Sequence, residues 1–339
     1  MYRLKTILGA TLLGIGGTAM AQRDTLDIYW IDVEGGAATL IVTPSGQSAL
    51  MDAGWRRDDD RDGKRIRAAM ADAGVESLDY LIVSHFHGDH AGGIPQLLEQ
   101  VQVGEIIDHG DSVEQDSPRH GPIWDAYVSA AAGQRRRVVP GDTLPLAGVD
   151  DFRFVAAHHE IVEAPSGAAT ANPRCEGASA FEEDLGENGR SLAYVLSLGR
   201  FEFADVGDLT PDVQHELVCP HDRIGEIDLL QAPHHGNDIA PHFVATLNPI
   251  VAVSNTGASK GGGPEGYEAM HAAPDLAAYW QLHRASASDD AHNTADRMTA
   301  NPTEDDDQGY WIKTEVADDG SSFTLVNGRN GHRETYLSR

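Results

Sequence analysis

His85-Phe86-His87-Gly88-Asp89-His90 gathers four side chains able to bind a metal into six residues. It follows directly on Tyr80-Leu81-Ile82-Val83-Ser84, an apolar run that reads as a short buried strand. The cluster therefore falls where a strand ends and a loop begins. A strand end holds imidazoles rigidly. A loop with Gly88 and then Gly92-Gly93 lets the Asp/His pair turn back toward the same point. Imidazole combined with carboxylate suits zinc, iron or manganese. A solvated polar loop is the bland reading of these residues, and the density of the cluster argues against it.

The two ends of the chain read differently. Residues 1–21 have a basic start at Arg3 and Lys5, an apolar stretch from Ile7 to Thr18, and a small-x-small site at Ala19-Met20-Ala21. That is the pattern of a secretory signal peptide, with Gln22 as the expected mature N-terminus. No other stretch is long and apolar enough to span a bilayer. The expectation is an exported protein, secreted or periplasmic, with no membrane span in the mature chain. Residues 22–339 are expected to form one domain with long insertions at about 156–189 and 255–307, both rich in small, polar and acidic residues. Near the other end, Phe323-Thr324-Leu325-Val326 followed by Asn327-Gly328 reads as a strand and a turn.

The formal net charge of −28 bounds the partners. Such a surface repels long nucleic acid and anionic lipid. Runs such as Asp58-Asp59-Asp60 and Glu304-Asp305-Asp306-Asp307 read as solvated loops. The two cysteines, Cys175 and Cys219, sit in loop-like contexts. Export permits a bridge between them, and two free thiols, one of them a ligand, is the alternative.

Along the chain, Leu26–Val33, Ala38–Val42 and Ala49–Gly54 read as successive strands. A helix through Ile66, Ala69, Met70 and Ala73 precedes the strand that carries the His cluster. Helix Ile94 to Gln100 and strand Glu105–Asp108 follow. The second half repeats the scheme with a hairpin, Ser191–Leu198 and Phe201–Val206, a helix Asp212 to Leu217, and strands Asp228–Ala232 and Pro249–Ser254.

Two further strand ends carry chemistry. Val206-Gly207-Asp208 places an acid after a glycine, and His234-His235-Gly236 places paired imidazoles after an apolar strand. Taken alone, Asp208 reads as a turn or cap before Thr210-Pro211, and the two histidines as polar loop residues. Together with the first cluster they form a candidate two-metal site in which Asp208 bridges two cations and a bridging water is acidified.

The His-x-His-x-Asp-His run, the later Gly-Asp and the still later His resemble the metallo-β-lactamase superfamily over roughly Leu26 to Ser254. Within it, the pattern Asn188…Ser191-Leu192, Val206-Gly207-Asp208 and His234-His235-Gly236 is most similar to the hydrolase domain of competence (ComEC-type) DNA-uptake proteins. The resemblance implies an α/β fold, a four-layer αβ/βα sandwich with the metals at its upper edge and long loop insertions. It implies two divalent metals, Zn2+ first, with Mn2+ or Fe2+ as alternatives. His85 and His87 would bind the first metal, Asp89, His90 and His234 the second, and Asp208 both. Asp89 and His235 are the candidate catalytic residues, His235 as a substrate contact or proton donor. Asp52 would support the site behind its ligands.

One departure concerns the first metal. Most of the superfamily has a further His about twenty residues before the bridging acid, where this chain has Glu187-Asn188-Gly189-Arg190-Ser191. Asn188, a water, or a borrowed His could take that place. His109 is the best placed, ahead of His158 and His159. Lys260 near the site edge could meet an anionic substrate, and Trp280 could cover the mouth or anchor the core.

The expected activity is metal-dependent hydrolysis of a small-molecule substrate, a phosphodiester or another ester. An iron-dependent redox enzyme and a non-catalytic metal-binding protein are the competing readings.

Overall fold

The computed structural model describes residues 23–164, 171–178, 181–303 and 308–339. The signal-peptide reading of residues 1–21 and the acidic run at 304–307 lie outside the described residues.

The strands are β1 (Thr25–Trp30), β2 (Thr39–Val42), β3 (Ser48–Met51), β4 (Leu78–Ile82), β5 (Val103–Asp108), β6 (Arg135–Arg137), β7 (Asp151–Ala157), β8 (Glu160–Ile161), β9 (Ala193–Leu198), β10 (Phe201–Asp205), β11 (Leu229–Gln231), β12 (Val251–Ser254), β13 (Ala278–His283), β14 (Thr299–Asn301), β15 (Ile312–Ala317), β16 (Ser322–Asn327) and β17 (Arg333–Leu337). The α-helices are α1 (Arg61–Asp72), α2 (Ile94–Leu98), α3 (Gly121–Ala130), α4 (Pro211–Val218), α5 (Pro241–Leu247) and α6 (Pro264–Met270). One sheet has the order β17-β16-β15-β1-β2-β3-β4-β5-β6 and the other β14-β13-β12-β11-β10-β9-β7-β8.

Side-chain alternation decides the layers. Leu26, Ile28 and Trp30 of β1 point between the sheets and meet Phe203, Leu229 and Trp280. Tyr29, between them, joins the opposite face, where Ile66 and Met70 of α1, Leu97 of α2 and Tyr127 of α3 pack. The second sheet does the same: Leu230 and Ala252 face outward onto Leu217 of α4, Phe243 of α5 and Met270 of α6. The central strands of both sheets are covered on both faces, which is why they read as continuous apolar runs, whereas β15 and β16 alternate buried and half-buried residues. The four-layer α/β arrangement expected from the sequence is the one observed.

Strand direction places the polar loops. β3, β4 and β5 run parallel, and so do β10, β11 and β12. Their carboxyl ends open on the same edge of the sandwich. Parallel sheets bind ligands in the crevice beyond the carboxyl ends of their strands.

The two expected insertions differ from each other. Segment 255–307 contributes α6, β13 and β14, and β13 pairs in parallel with β12. Its strand character is masked in the sequence because Gln281 and His283 are polar yet fully buried, with the Gln281 carboxamide accepting from Thr294 N at 2.6 Å. Trp280 is a core anchor between the sheets, not a cover over the mouth. Segment 156–189 ends β7, forms the two-residue β8 and a 3-10 turn at Pro173–Cys175, enters another at Asn188–Arg190, and is otherwise loop where described. A Cys175–Cys219 disulfide, with a Cα–Cα separation of 5.8 Å, ties that loop to the end of α4. Asn172 adds hydrogen bonds to Val218 O and Thr246 Oγ1, each 2.9 Å.

The bridge closes a long loop, so its removal frees the unfolded chain. Cys175→Ser with Cys219→Ser should lower the unfolding free energy by about 2–4 kcal/mol in urea titrations. A loss below about 0.5 kcal/mol would show that the loop is held by its other contacts.

Candidate metal centre

Each candidate side chain stands just past the end of a strand. Asp52 follows β3, the His85–His90 loop follows β4, and His109 follows β5. On the facing sheet Asp208 follows β10, His234 and His235 follow β11, and Asn255 follows β12. The loops turn sharply to reach one point. Asp52, His234 and His235 have φ of 62°, 46° and 55°, left-handed values that L residues adopt rarely. Gly93 lies so close to Ala53 that any β-carbon would run into the Ala53 carbonyl.

Asp89, His90, Asp208 and His235 converge, all buried, with one ligand atom from each within 4.8 Å of the others. His235 Nε2 lies 3.2 Å from Oδ2 of Asp89 and 3.2 Å from Oδ2 of Asp208. His90 Nε2 lies 3.2 Å from Asp208 Oδ2 and 3.5 Å from Asp89 Oδ2. Four donors placed tetrahedrally about a cation at roughly 2.1 Å stand about 3.4 Å apart. The observed spacings fit that geometry. The backs of the rings are fixed too. His90 Nδ1 bonds Asp52 Oδ2 at 2.7 Å, and His235 Nδ1 bonds Asn255 Oδ1 at 3.1 Å. Asp52 also accepts from Ser84 N and Ser84 Oγ, at 2.8 and 2.6 Å.

The other histidines are arranged around this group. His85 is fully buried, and its Nε2 has no hydrogen-bond partner and points toward Asp208 Oδ2 at 4.0 Å. An orphaned imidazole nitrogen facing a carboxylate is a donor set fitted to a cation. His87 stands nearer the surface, its ring 4.7 Å from that of His85. His234 Nε2 lies 3.6 Å from Asp208 Oδ2 and 3.3 Å from Asn188 Nδ2, so Asn188 reaches the site through His234. His235, not His234, completes the four-residue group. His109 turns away from it: Nε2 meets Glu187 Oε2 at 3.2 Å and Nδ1 meets His158 Nδ1 at 3.3 Å. His159 pairs with Asp212 at 3.2 Å.

The electrostatics follow from burial and proximity. Burial alone would push Asp208 up, but His235, His90 and His234 outweigh it and hold the carboxyl well below its usual range. Asp89 is held down likewise by His90 and His235 against its burial. His90 resists the loss of charge that burial favours because Asp208, Asp89 and Asp52 surround it. His85 is driven the other way, toward the neutral ring, by burial and by His90 and His87.

A cavity of about 250 Å³ opens beside the cluster, lined by Trp55, His87, Asp89, Arg119, His120, Asp208, His234 and Lys260. Lys260 Nζ pairs with Asp89, donates to Gly35 O at 2.8 Å, and lies 5.4 Å from the Trp55 ring centre.

Several of these residues carry no signal in the sequence. Glu187 stood in the stretch that lacks a His, yet it ties three loops together. It accepts from Phe86 N, Ser112 Oγ and Val113 N at 3.2, 2.6 and 2.7 Å, besides facing His109. Asn255, Arg119 and His120 had no pattern to mark them, because each reaches the site from a separate loop.

Residues 31–162 match the Metallo-beta-lactamase superfamily. Ribonuclease Z from Alkaliphilus oremlandii (strain OhILAs) is 29% identical over 103 residues, 30% of this chain and 26% of that protein, so the chain spans about a quarter of that relative's length. Among solved structures, the metallo-beta-lactamase SMB-1 in a complex with mercaptoacetic acid has a TM-score of 0.36 at 16% identity, covering 56% of this chain and 63% of that one. CmlA, a diiron beta-hydroxylase from Streptomyces venezuelae, has a TM-score of 0.39 at 13% identity, covering 69% and 45%.

Burial pushes Glu187 up, but the His109 hydrogen bond and charge, with Ser112 and Phe86 N, bring it down to about 2 from 4.5. A folded value below the unfolded one gives stability that is complete above pH 4.5 and fades as the pH falls toward 2. Glu187→Gln should remove up to about 3 kcal/mol near neutral pH and flatten that acid limb in pH-dependent unfolding. An unchanged limb would mean that Glu187 is not the group that titrates there. The match over residues 31–162 and the geometry agree: that span carries the sequence of the metallo-beta-lactamase superfamily, on a two-sheet α/β fold consistent with that family.

Proposed function

We propose that the whole chain is a metal-dependent hydrolase of this superfamily, exported from the cell, that cleaves a small anionic ester, with a phosphodiester as first candidate. The buried convergence of Asp89, His90, Asp208 and His235 carries this reading. Two carboxylates and two imidazoles, buried together at those spacings beside a cavity, are a donor set that suits a cation. These four residues would hold one cation, and His87 faces the cavity beside them as a donor for a second. Nitrogen and oxygen donors suit Zn2+ first and Mn2+ or Fe2+ next. When bound, such cations supply Lewis acidity and bring a water toward hydroxide near neutral pH.

The chain's own residues do the rest. Asp52 and Asn255 fix which nitrogen of His90 and His235 faces the centre. His234 reaches the cavity beside Asp208 and is the group placed to give a proton to a leaving oxygen; His235 is spent within the cluster. Lys260 and Arg119 bring positive charge to the cavity wall of an otherwise acidic protein, which supports an anionic substrate. Lys260 pairs with Asp89, the carboxylate that would also hold the cation, and stands on the cavity wall where an anionic substrate would meet its ammonium. The small cavity and the net charge of −28 favour a compact substrate over long nucleic acid. The resemblance of Val206-Gly207-Asp208 and His234-His235-Gly236 to competence-type hydrolase domains supports a phosphodiester as first candidate.

His235→Ala and Asp208→Ala should each lower bound metal by elemental analysis. Each should cut kcat/KM on a phosphodiester or lactone panel by more than the roughly 10–100-fold that loss of an outer partner costs. Full activity in either variant would overturn the assignment. Chelation should lower the melting temperature of the full chain, because a cation bound only to the folded state stabilises it. Lys260→Ala should raise KM for anionic esters several-fold and leave neutral esters within about twofold; equal effects on both would remove Lys260 from substrate recognition. Iron with oxygen consumption and no hydrolysis would replace this reading with redox chemistry.

A further inference from the structure

Glu114 and His120 belong to none of the motifs above, yet they meet His87 at the cavity mouth. Glu114 lies on the loop after β5, and His120 immediately precedes α3. His87 Nε2 is 3.4 Å from Glu114 Oε2, and His120 Nε2 is 3.6 Å from the same oxygen. The two imidazole rings lie 4.4 Å apart. One ligand atom from each residue falls within 4.8 Å of the other two. These are again the donor-to-donor spacings of a cation held at about 2.1 Å. The carboxylate is oriented from behind, since Glu114 Oε1 accepts from Glu187 N at 3.2 Å and leaves Oε2 to face the imidazoles. All three residues are half-buried, so one side stays open to the cavity.

The neighbouring loop explains why these residues are needed. A cation bound by His85 and His87, as the family resemblance implies, would lack a third imidazole from the stretch before Asp208. There Glu187 is committed to His109, Ser112 and two backbone amides, and Asn188 faces His234. Nothing in that stretch turns to His87.

We propose that His87, Glu114 and His120 form a divalent-cation site, so that the second cation of this protein sits at the cavity mouth on a His-Glu-His set. The inference rests on the reading that a first cation occupies the Asp89–His90–Asp208–His235 group. Two imidazoles and one carboxylate with open positions are a donor set that takes zinc or iron and leaves room for water or substrate. Arg119, adjacent to His120, lines the same cavity, so an anion entering it would meet the cation and the guanidinium together.

The test is Zn2+ stoichiometry on the full chain after dialysis against chelator, by isothermal titration with elemental analysis. Co2+ absorption serves as a second readout. Wild type should take up two equivalents. Glu114→Gln and His120→Ala should each take up one fewer and lose part of the visible Co2+ spectrum, with circular dichroism unchanged. His235→Ala should also lose one equivalent, and the Glu114→Gln/His235→Ala double variant should bind none. The inference is overturned if Glu114→Gln and His120→Ala both keep wild-type stoichiometry and Co2+ spectra, or if wild type binds a single equivalent that only His235→Ala removes. If His235→Ala instead keeps two equivalents while Glu114→Gln loses one, the mouth site stands and the reading of the deep group fails.

Discussion

Asp89 and Asp208 are buried side by side, and that is a state a protein interior resists. Desolvating a carboxylate costs several kcal/mol unless positive charge and hydrogen bonds meet it. Here His90 and His235 reach both acids at 3.2 to 3.5 Å. The sandwich is arranged around that requirement. Asp89 and His90 come from a loop of one sheet, Asp208 and His235 from the other, so each acid meets one imidazole from its own sheet and one from the facing sheet. The parallel runs β3-β4-β5 and β10-β11-β12 bring both sets of loops to the same edge.

Around this centre a ring of uncharged or paired groups removes freedom from the imidazoles. Asp52, Ser84 and Asn255 choose the nitrogen that faces inward. Glu187 does the same at longer range by clamping the Phe86 backbone and the loop after β5. The left-handed conformations of Asp52, His234 and His235 belong to this scheme. Strained backbone persists where surrounding contacts over-determine it, and here each such residue lies within the network.

Much of this was legible in the chain itself. Continuous apolar runs marked the core strands. The dense His-x-His-x-Asp-His run and the acid after Gly207 marked two of the strand ends that meet. What stayed hidden has a common cause. β13 carries Gln281 and His283 in buried positions, and sequence patterning reads a buried polar residue as an exposed one. Asn255, Glu187, Glu114 and His120 are single polar residues in separate loops, with significance that arises only in three dimensions. The pair His234-His235 showed the opposite difficulty. Both residues were evident, but which ring faces the cluster depends on two left-handed turns that spacing does not encode.

The order of strands has a consequence for how the molecule is made. β1 lies between β2, its neighbour in the chain, and β15, which comes from far along it and pairs Thr25 with Ala317. Until β15 arrives, one side of β1 offers a row of unsatisfied amides and carbonyls beside the apolar Leu26, Ile28 and Trp30. Such an open margin templates association with other chains, and pairings of this sequence separation form slowly. Closing the flank of β1 thus depends on a strand from the far end of the chain, so loss of that end would leave an open edge in the middle of the sheet.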